Sequence, residues 1–452
     1  MDRKNEFMIY KLSESIKTTC RIDNELFKQY NVKRGLRNED HSGVLVGLTK
    51  IGDVVGYERT DNGLKAIPGK LVYRGINVED LVKGLQNEKR TGFEETAYLL
   101  LSGKLPDQDE LITFSEIINA AMPLEQKVKM NILDLEGNDI MNILSRSVLQ
   151  MYTFDDNPDD NSRENLMRQS IELIAKFPTI IAYAYNIMRH SSFGRSLHIR
   201  HPKEDASIAE NFLFMLKGPR QYTPLDVQIL DLALILHAEH GGGNNSTFTV
   251  RVTSSSGTDT YSSIAAGIGS LKGPLHGGAN LKVINMFNHL KEAIKDWNDD
   301  KEIEKYLIKI LNREAYNRTG LIYGIGHAIY TISDPRALLL KEMARELAKE
   351  KNREKEFTFL EKLETKAVEA FMNFKGTKVN KQVCANVDFY SGFVYEMIGL
   401  PQEVYTPLFA MSRIVGWVAH RIEELNFDSK RIIRPAYKNV ADLKSFIPLK
   451  ER

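Results

Sequence analysis

Leu271-Lys272-Gly273-Pro274-Leu275-His276-Gly277-Gly278-Ala279-Asn280-Leu281 is the stretch on which the reading of this chain turns. Gly273-Pro274 ends whatever helix precedes it. The Gly277-Gly278 pair lets backbone and ligand approach closely. From Ala279 to Ile294 the apolar residues recur at helical spacing, so a helix is expected there. His276 therefore sits just before a helix N-terminus, where the positive end of the dipole disfavours imidazolium. A neutral imidazole so placed can donate a hydrogen bond to a developing oxyanion, a role known for a neutral histidine in triosephosphate isomerase. A histidine ending an ordinary turn would look the same, so the motif needs partners elsewhere in the chain.

Working outward, the length of 452 residues is too great for one small core and favours two or three compact units. The net charge of +1 points neither to nucleic acid nor to a charged membrane surface. Cys20 and Cys384 are the only cysteines, which excludes a disulfide framework and a cysteine-rich zinc site. No apolar run is long enough to span a bilayer. The N-terminus carries acids early and lacks the apolar core of a signal peptide, so the cytoplasm is the expected compartment.

The chain reads as mostly α. Residues 1–43 are charged and weakly apolar and read as an N-terminal extension. Gly47 to Tyr57 and Gly69 to Tyr73 alternate enough for a short strand or two around the Asp61-Asn62-Gly63 turn signal. Val78 to Leu101, Asp107 to Ala121 and Arg163 to Met188 carry helical spacing, the last with a possible break at Pro178. Asp155 to Asp160 and residues 190–206 read as loops.

Three further segments carry chemistry. Thr223-Pro224-Leu225-Asp226 is a helix start, with Thr as cap, Pro first and an acid third. That helix is apolar nearly all round and runs to the glycines Gly241-Gly242-Gly243. His237 and His240, three apart, are expected on one face near its C-terminal end, where the dipole favours a charged ring. They read as a zinc pair lacking a third ligand, as core histidines, or as part of a ligand-facing joint. Tyr323-Gly324-Ile325-Gly326-His327 sets another histidine behind glycines. Asp334-Pro335 then starts a helix with Arg336 in its first turn, where free N–H groups and a guanidinium can grip an anion. Finally, Asp388 lies between Val387 and Phe389 at the mouth of an apolar helix. It is either a cap or a base whose pKa burial raises. Arg413 lies inside the next apolar helix, a costly place without an anionic partner. Arg421, with Glu424 beside it, reads as surface decoration. No Walker loop, dinucleotide fingerprint or Gly-x-Ser-x-Gly elbow is present. Histidines at glycine joints, an acid in apolar surroundings and waiting arginines suit proton abstraction beside a carbonyl, with arginines holding a carboxylic acid.

At these residues the chain resembles the citrate synthase family. The matching stretches, in order, are His237-Ala238-Glu239-His240 with Gly242-Gly243-Asn244 and Ser246, then Gly273 to Asn280. Gly324 to Ala328, Asp334 to Arg336, Asn386 to Gly392, and Leu408-Phe409 with Arg413 follow. A fainter match at Tyr73-Arg74-Gly75 and Phe93 to Leu100 extends the likeness toward residue 44; the first forty or so residues lie outside it. Where many family members have an acid after the second histidine, this chain has Gly241.

The resemblance implies a multi-helical fold with a large and a small domain and minor β structure near the N-terminus. Residues 44–275 would form the first part of the large domain, 276–386 the small domain, and 387–452 the return to the large domain and a C-terminal arm. It implies condensation of acetyl-CoA with oxaloacetate, with Asp388 taking the methyl proton, His276 on the thioester oxygen and His327 on the keto oxygen. His240, Arg336, Arg413 and Arg434 would bind oxaloacetate, Arg434 from the partner subunit of a homodimer. Gly324 and Gly326 would touch CoA. Acetyl-CoA enters as substrate, and no cofactor or metal is expected. A 2-methylcitrate synthase using propionyl-CoA shares the same machinery. A zinc-dependent hydrolase or lyase built on His237 and His240, or a silent CoA- or carboxylate-binding relative, are more distant alternatives.

Overall fold

The computed structural model describes residues 3–38, 42–61, 63–135, 137–375 and 382–452. They fall into two compact units, those up to Leu48 and those from Thr49 to Arg452. In the first, the helix Arg3–Thr19 buries none of its side chains. The short helix Asn24–Gln29 follows, its first turn capped by the Asp23 carboxylate.

The second unit opens with strands β1 (Gly52–Thr60), β2 (Gly63–Tyr73) and β3 (Ile76–Asn77), one antiparallel sheet in sequence order. Thr60 pairs with Gly63 and Gly52 with Tyr73, with an irregularity between Val55 and Tyr57. The strands extend much closer to the turn than alternation alone suggested; Asn62 of that turn lies outside the described residues. The hairpin reaches functional segments far along the chain. The Gly69 N–H donates to the Ser333 hydroxyl at 3.2 Å, and the Tyr73 hydroxyl donates to the Ile235 and Glu239 carbonyls.

The rest is helical, as expected. Val78 to Leu101 is two helices, Val78–Glu88 and Phe93–Ser102, not one. Lys89 turns left-handed at φ 55°, and Asp231 from a distant helix accepts the Gly92 and Phe93 N–H groups at 2.8 and 3.2 Å. That cap comes from tertiary structure, so local periodicity did not show it. The helix Arg163–Phe193 runs unbroken through Pro178. Every residue from Lys176 to Ala184 is buried, and this packing outweighs the roughly 3 kcal/mol a mid-helix proline costs. Thr223 caps the helix Pro224–His237 with the reciprocal bonds of a capping box.

Tyr405–Leu425 is the hub, buried continuously from Ala410 to Arg421. It packs on Phe93–Ser102, Arg163–Phe193, Pro224–His237, Asn245–Ser254 and Thr260–Lys272. Ala279–Ala293 packs on Asp388–Met397, and Pro335–Glu350 packs on Asp388–Met397, Glu354–Lys375 and Pro224–His237. Among the described residues no helix is long and apolar enough to cross a membrane.

Candidate active site

His276 lies between the helices Thr260–Lys272 and Ala279–Ala293, ahead of the Gly278 cap. Its Nε2 is 3.1 Å from the Ser246 hydroxyl, which also accepts the Trp417 indole N–H at 3.1 Å. The hydroxyl donates its proton to Asn244 Oδ1 at 3.0 Å. The imidazole is held neutral, its pKa pushed down to about 4. Burial is the main cause and the Arg413 charge the second. The neutral state is thus the expected one, though the helix dipole is not what chiefly enforces it.

The other histidine joint is fixed by backbone. Gly324 at φ 81° and Gly326 at φ 96° adopt left-handed conformations. Ile325 pairs with Ala385 as an antiparallel bridge; the Gly326 N–H donates to the Cys384 carbonyl, and the Asn386 N–H to that of Gly324. The segments bearing His327 and Asp388 are thereby tied together. His327 Nδ1 accepts the N–H groups of Ile329 and Tyr330, both at 3.1 Å. An N–H can only donate, so Nδ1 holds the lone pair and the neutral ring carries its proton on Nε2. The ring stacks on Tyr330 and meets His240 edge-on at 5.2 Å between centroids.

Asp388 is the first residue of its helix and does not cap it; Val387 occupies the cap position, and Asn386 Oδ1 accepts the Asp388 N–H. Burial raises its carboxyl to about 6, with the Arg336 charge opposing. Of the two readings of this acid, the cap is therefore set aside.

The two arginines differ. Asp334 caps its helix as expected, with Pro335 first. Its carboxylate also grips Arg336, Oδ1 to Nε at 3.0 Å and Oδ2 to Nη2 at 2.7 Å. Burial works against the Arg336 charge, but the Asp334 carboxylate outweighs it and raises the pKa. Arg413 is fully buried. Its Nε donates to the His237 carbonyl at 2.7 Å, its guanidinium lies 4.8 Å above the Phe409 ring, and Nη1 and Nη2 are buried with no hydrogen-bond partner. Burial pulls its pKa to about 10, with Glu239 resisting. Neither terminal nitrogen is hydrogen-bonded to a structural carboxylate.

His237 ends its helix and His240 lies beyond the end, so the two do not share a helix face. Both rings are held well below the usual histidine range by burial first and the Arg336 charge next. This corrects the expectation that the helix end would favour a charged ring: desolvation outweighs the dipole. His240 Nε2 and His237 Nδ1 are buried without partners. No group of three metal-binding side chains in holding geometry occurs among the described residues. Gly241, at φ 81°, adopts a conformation that strains any side-chain-bearing residue, which fits glycine at this departure from the family pattern.

One expectation changes at the edge of the site. Arg421 is buried rather than decorative. It donates to the Thr260, Ser254 and Ser263 hydroxyls, Asn161 and the Thr258 carbonyl, while Glu424 pairs with Arg251. Arg434 is exposed on the extended segment after the hub helix. The sequence reading missed Ser246, Trp417 and Tyr330 as supports of the histidines, and the buried Glu239–His420 pair.

A family model described as "Citrate synthase, C-terminal domain" matches residues 40–436. The chain is 33% identical to a citrate synthase of Synechocystis over 95% of each chain, and 35% identical to citrate synthase 2 of Bacillus subtilis over 85% of this chain and 94% of that one. The solved citrate synthase of Pyrobaculum aerophilum superposes at a TM-score of 0.73 and 31% identity, covering 91% of this chain and 95% of that one. The citrate synthase of Thermoplasma acidophilum, solved with carboxymethyl coenzyme A and oxaloacetate, gives 0.74 at 29% identity over 93% and 99%. With the family model spanning most of its length and relatives above 30% identity along nearly all of it, the chain belongs to the citrate synthase family.

Proposed function

We propose that this protein condenses acetyl-CoA with oxaloacetate and water to give citrate and CoA. The observation that carries the reading is Arg413, whose two terminal nitrogens are buried and unpartnered beside neutral imidazoles and a carboxylate raised to about 6. A buried cation left this way is a receptor for an anion. His240, Arg336 and Arg413 hold the oxaloacetate carboxylates. Asp388 takes a methyl proton from acetyl-CoA. His276 hydrogen-bonds the thioester oxygen and stabilises the enol or enolate. The new carbon–carbon bond forms at the keto carbon, whose oxygen receives the His327 Nε2–H. Water then hydrolyses citryl-CoA, breaking the carbon–sulfur bond and releasing the CoA thiol.

Acetyl-CoA is a substrate, and the scheme uses no resident cofactor. Gly324 and Gly326 offer backbone to CoA. Residues 276–386 act as a small domain that closes on the large one and excludes water. Two chains form a homodimer in which each Arg434 completes the partner's oxaloacetate site, and the cytoplasm is the working compartment. The test is CoA thiol release from acetyl-CoA and from propionyl-CoA, each with oxaloacetate and without added metal. Release with acetyl-CoA preferred is expected. Preference for propionyl-CoA would make this a 2-methylcitrate synthase, and silence with both would reject the reading.

A further inference from the structure

Glu239 and His420 form a fully buried pair that the scheme above does not use. His420 Nε2 lies 2.9 Å from Glu239 Oε1, and both side chains are closed to solvent. The same Oε1 accepts the N–H of Gly241, two residues on. The backbone of Glu239 is held as well: its carbonyl accepts the Tyr73 hydroxyl at 3.1 Å, and its N–H donates to that oxygen at 3.3 Å. Between Glu239 and Gly241 stands His240. One residue before the pair, the Ala238 carbonyl accepts the Gly416 N–H from the hub helix at 3.1 Å. A Cβ at Gly416 would come within 2.4 Å of Glu239 Oε2, so the hub helix leaves room for this carboxylate.

We propose that Glu239, pinned by His420, is a positioning residue: a buried clasp that sets the chain path on both sides of His240 and so aims its ring at the oxaloacetate site. The carboxylate is more than a filler. One oxygen bonds both the hub helix and the N–H following His240, which ties the left-handed turn at Gly241 to the rigid core. Past Ala238, whose N–H still donates to the Ile235 carbonyl at 3.3 Å, the joint runs beyond the helix and its bonds. The clasp supplies that hold without touching substrate. This inference rests on the proposed oxaloacetate reading.

Glu239→Gln and His420→Gln each keep a polar group able to close the clasp; Glu239→Ala and His420→Leu do not. In Glu239→Ala and His420→Leu the KM for oxaloacetate is expected to rise about tenfold or more, the scale of loss when a group behind a ligand-holding residue is removed. The KM for acetyl-CoA should stay within about twofold, and Glu239→Gln and His420→Gln should keep the KM for oxaloacetate near the wild-type value. The double variant Glu239→Ala/His420→Leu should be no worse than either single one. A fall in melting temperature with unchanged KM for oxaloacetate would overturn the clasp. So would a Glu239→Gln variant as impaired as Glu239→Ala, since charge alone would then matter. If Glu239→Ala does not fold, the two His420 variants carry the same comparison. An inactive wild-type enzyme would reject the oxaloacetate reading instead. The clasp would then be read from crystal structures, in which His240 should shift by about 1 Å in His420→Leu and an unmoved ring would overturn it.

Discussion

Arg413 and Asp388 show how far a single residue can be read. An arginine in an apolar helix needs an anion, and the fold supplies none of its own to the two terminal nitrogens. Arg413→Met should therefore raise the KM for oxaloacetate ~100-fold, the range found when one partner of a buried charge pair is lost. Its melting temperature without ligand should hold or rise, because a buried unpaired charge has been removed. Calorimetry with and without oxaloacetate checks both. Asp388→Asn should lower kcat ~1,000-fold while oxaloacetate still raises the melting temperature, as expected for loss of a general base. In the unaltered enzyme the base works only when ionised. Activity should accordingly fall as pH drops through about 6, the value to which burial lifts Asp388. His276, held down to about 4, stays neutral across that window, so its protonation does not produce the limb. A pH–rate profile with no acid limb between pH 5 and 7 would count against Asp388 as the base. Arg421 is the opposite lesson. A nearby Glu424 suggested a surface pair, but the helix face it occupies was invisible without its neighbours.

At the scale of elements, the functional joints are places where one segment is held by another far away in sequence. The loop before His327 is hydrogen-bonded to residues 384–386, immediately ahead of Asp388. Gly324 makes this possible: a Cβ there would stand 2.9 Å from both Phe389 and Val283, on a backbone at φ 81°. Gly324→Ala should cost about 1–3 kcal/mol of stability. It should also lower kcat, because the loop and the base can no longer keep their spacing; denaturant melts alongside turnover would show it. Helix starts with their own chemistry were legible, as at Thr223-Pro224 and Asp334-Pro335. The break before Phe93 was not, since its cap is Asp231 from another helix. Pro178 misled for the same reason, its neighbours in space outweighing its local preference.

At the scale of the whole molecule, the proposed homodimer makes a prediction that the single chain cannot meet. Arg434 is exposed on an extended segment, and in the proposal it serves the partner's site. Arg434→Ala and Asp388→Asn should each be nearly inactive alone. Refolded together in equal amounts they should regain about a quarter of wild-type activity, because half the dimers are mixed and each mixed dimer has one intact site. No recovery would place Arg434 in its own chain's site or outside any site. The sequence by itself determined the helical class, the local caps at Thr223 and Asp334, the family and the residues on which chemistry is proposed. Those rest on periodicity, on capping side chains within a few positions, and on short motifs in a fixed order. Only the tertiary structure decided which arginine keeps its fork open, which tautomer His327 holds, why His276 is neutral, and that Glu239 and His420 meet. These depend on desolvation and on hydrogen bonds between residues up to 181 positions apart, which no local pattern encodes.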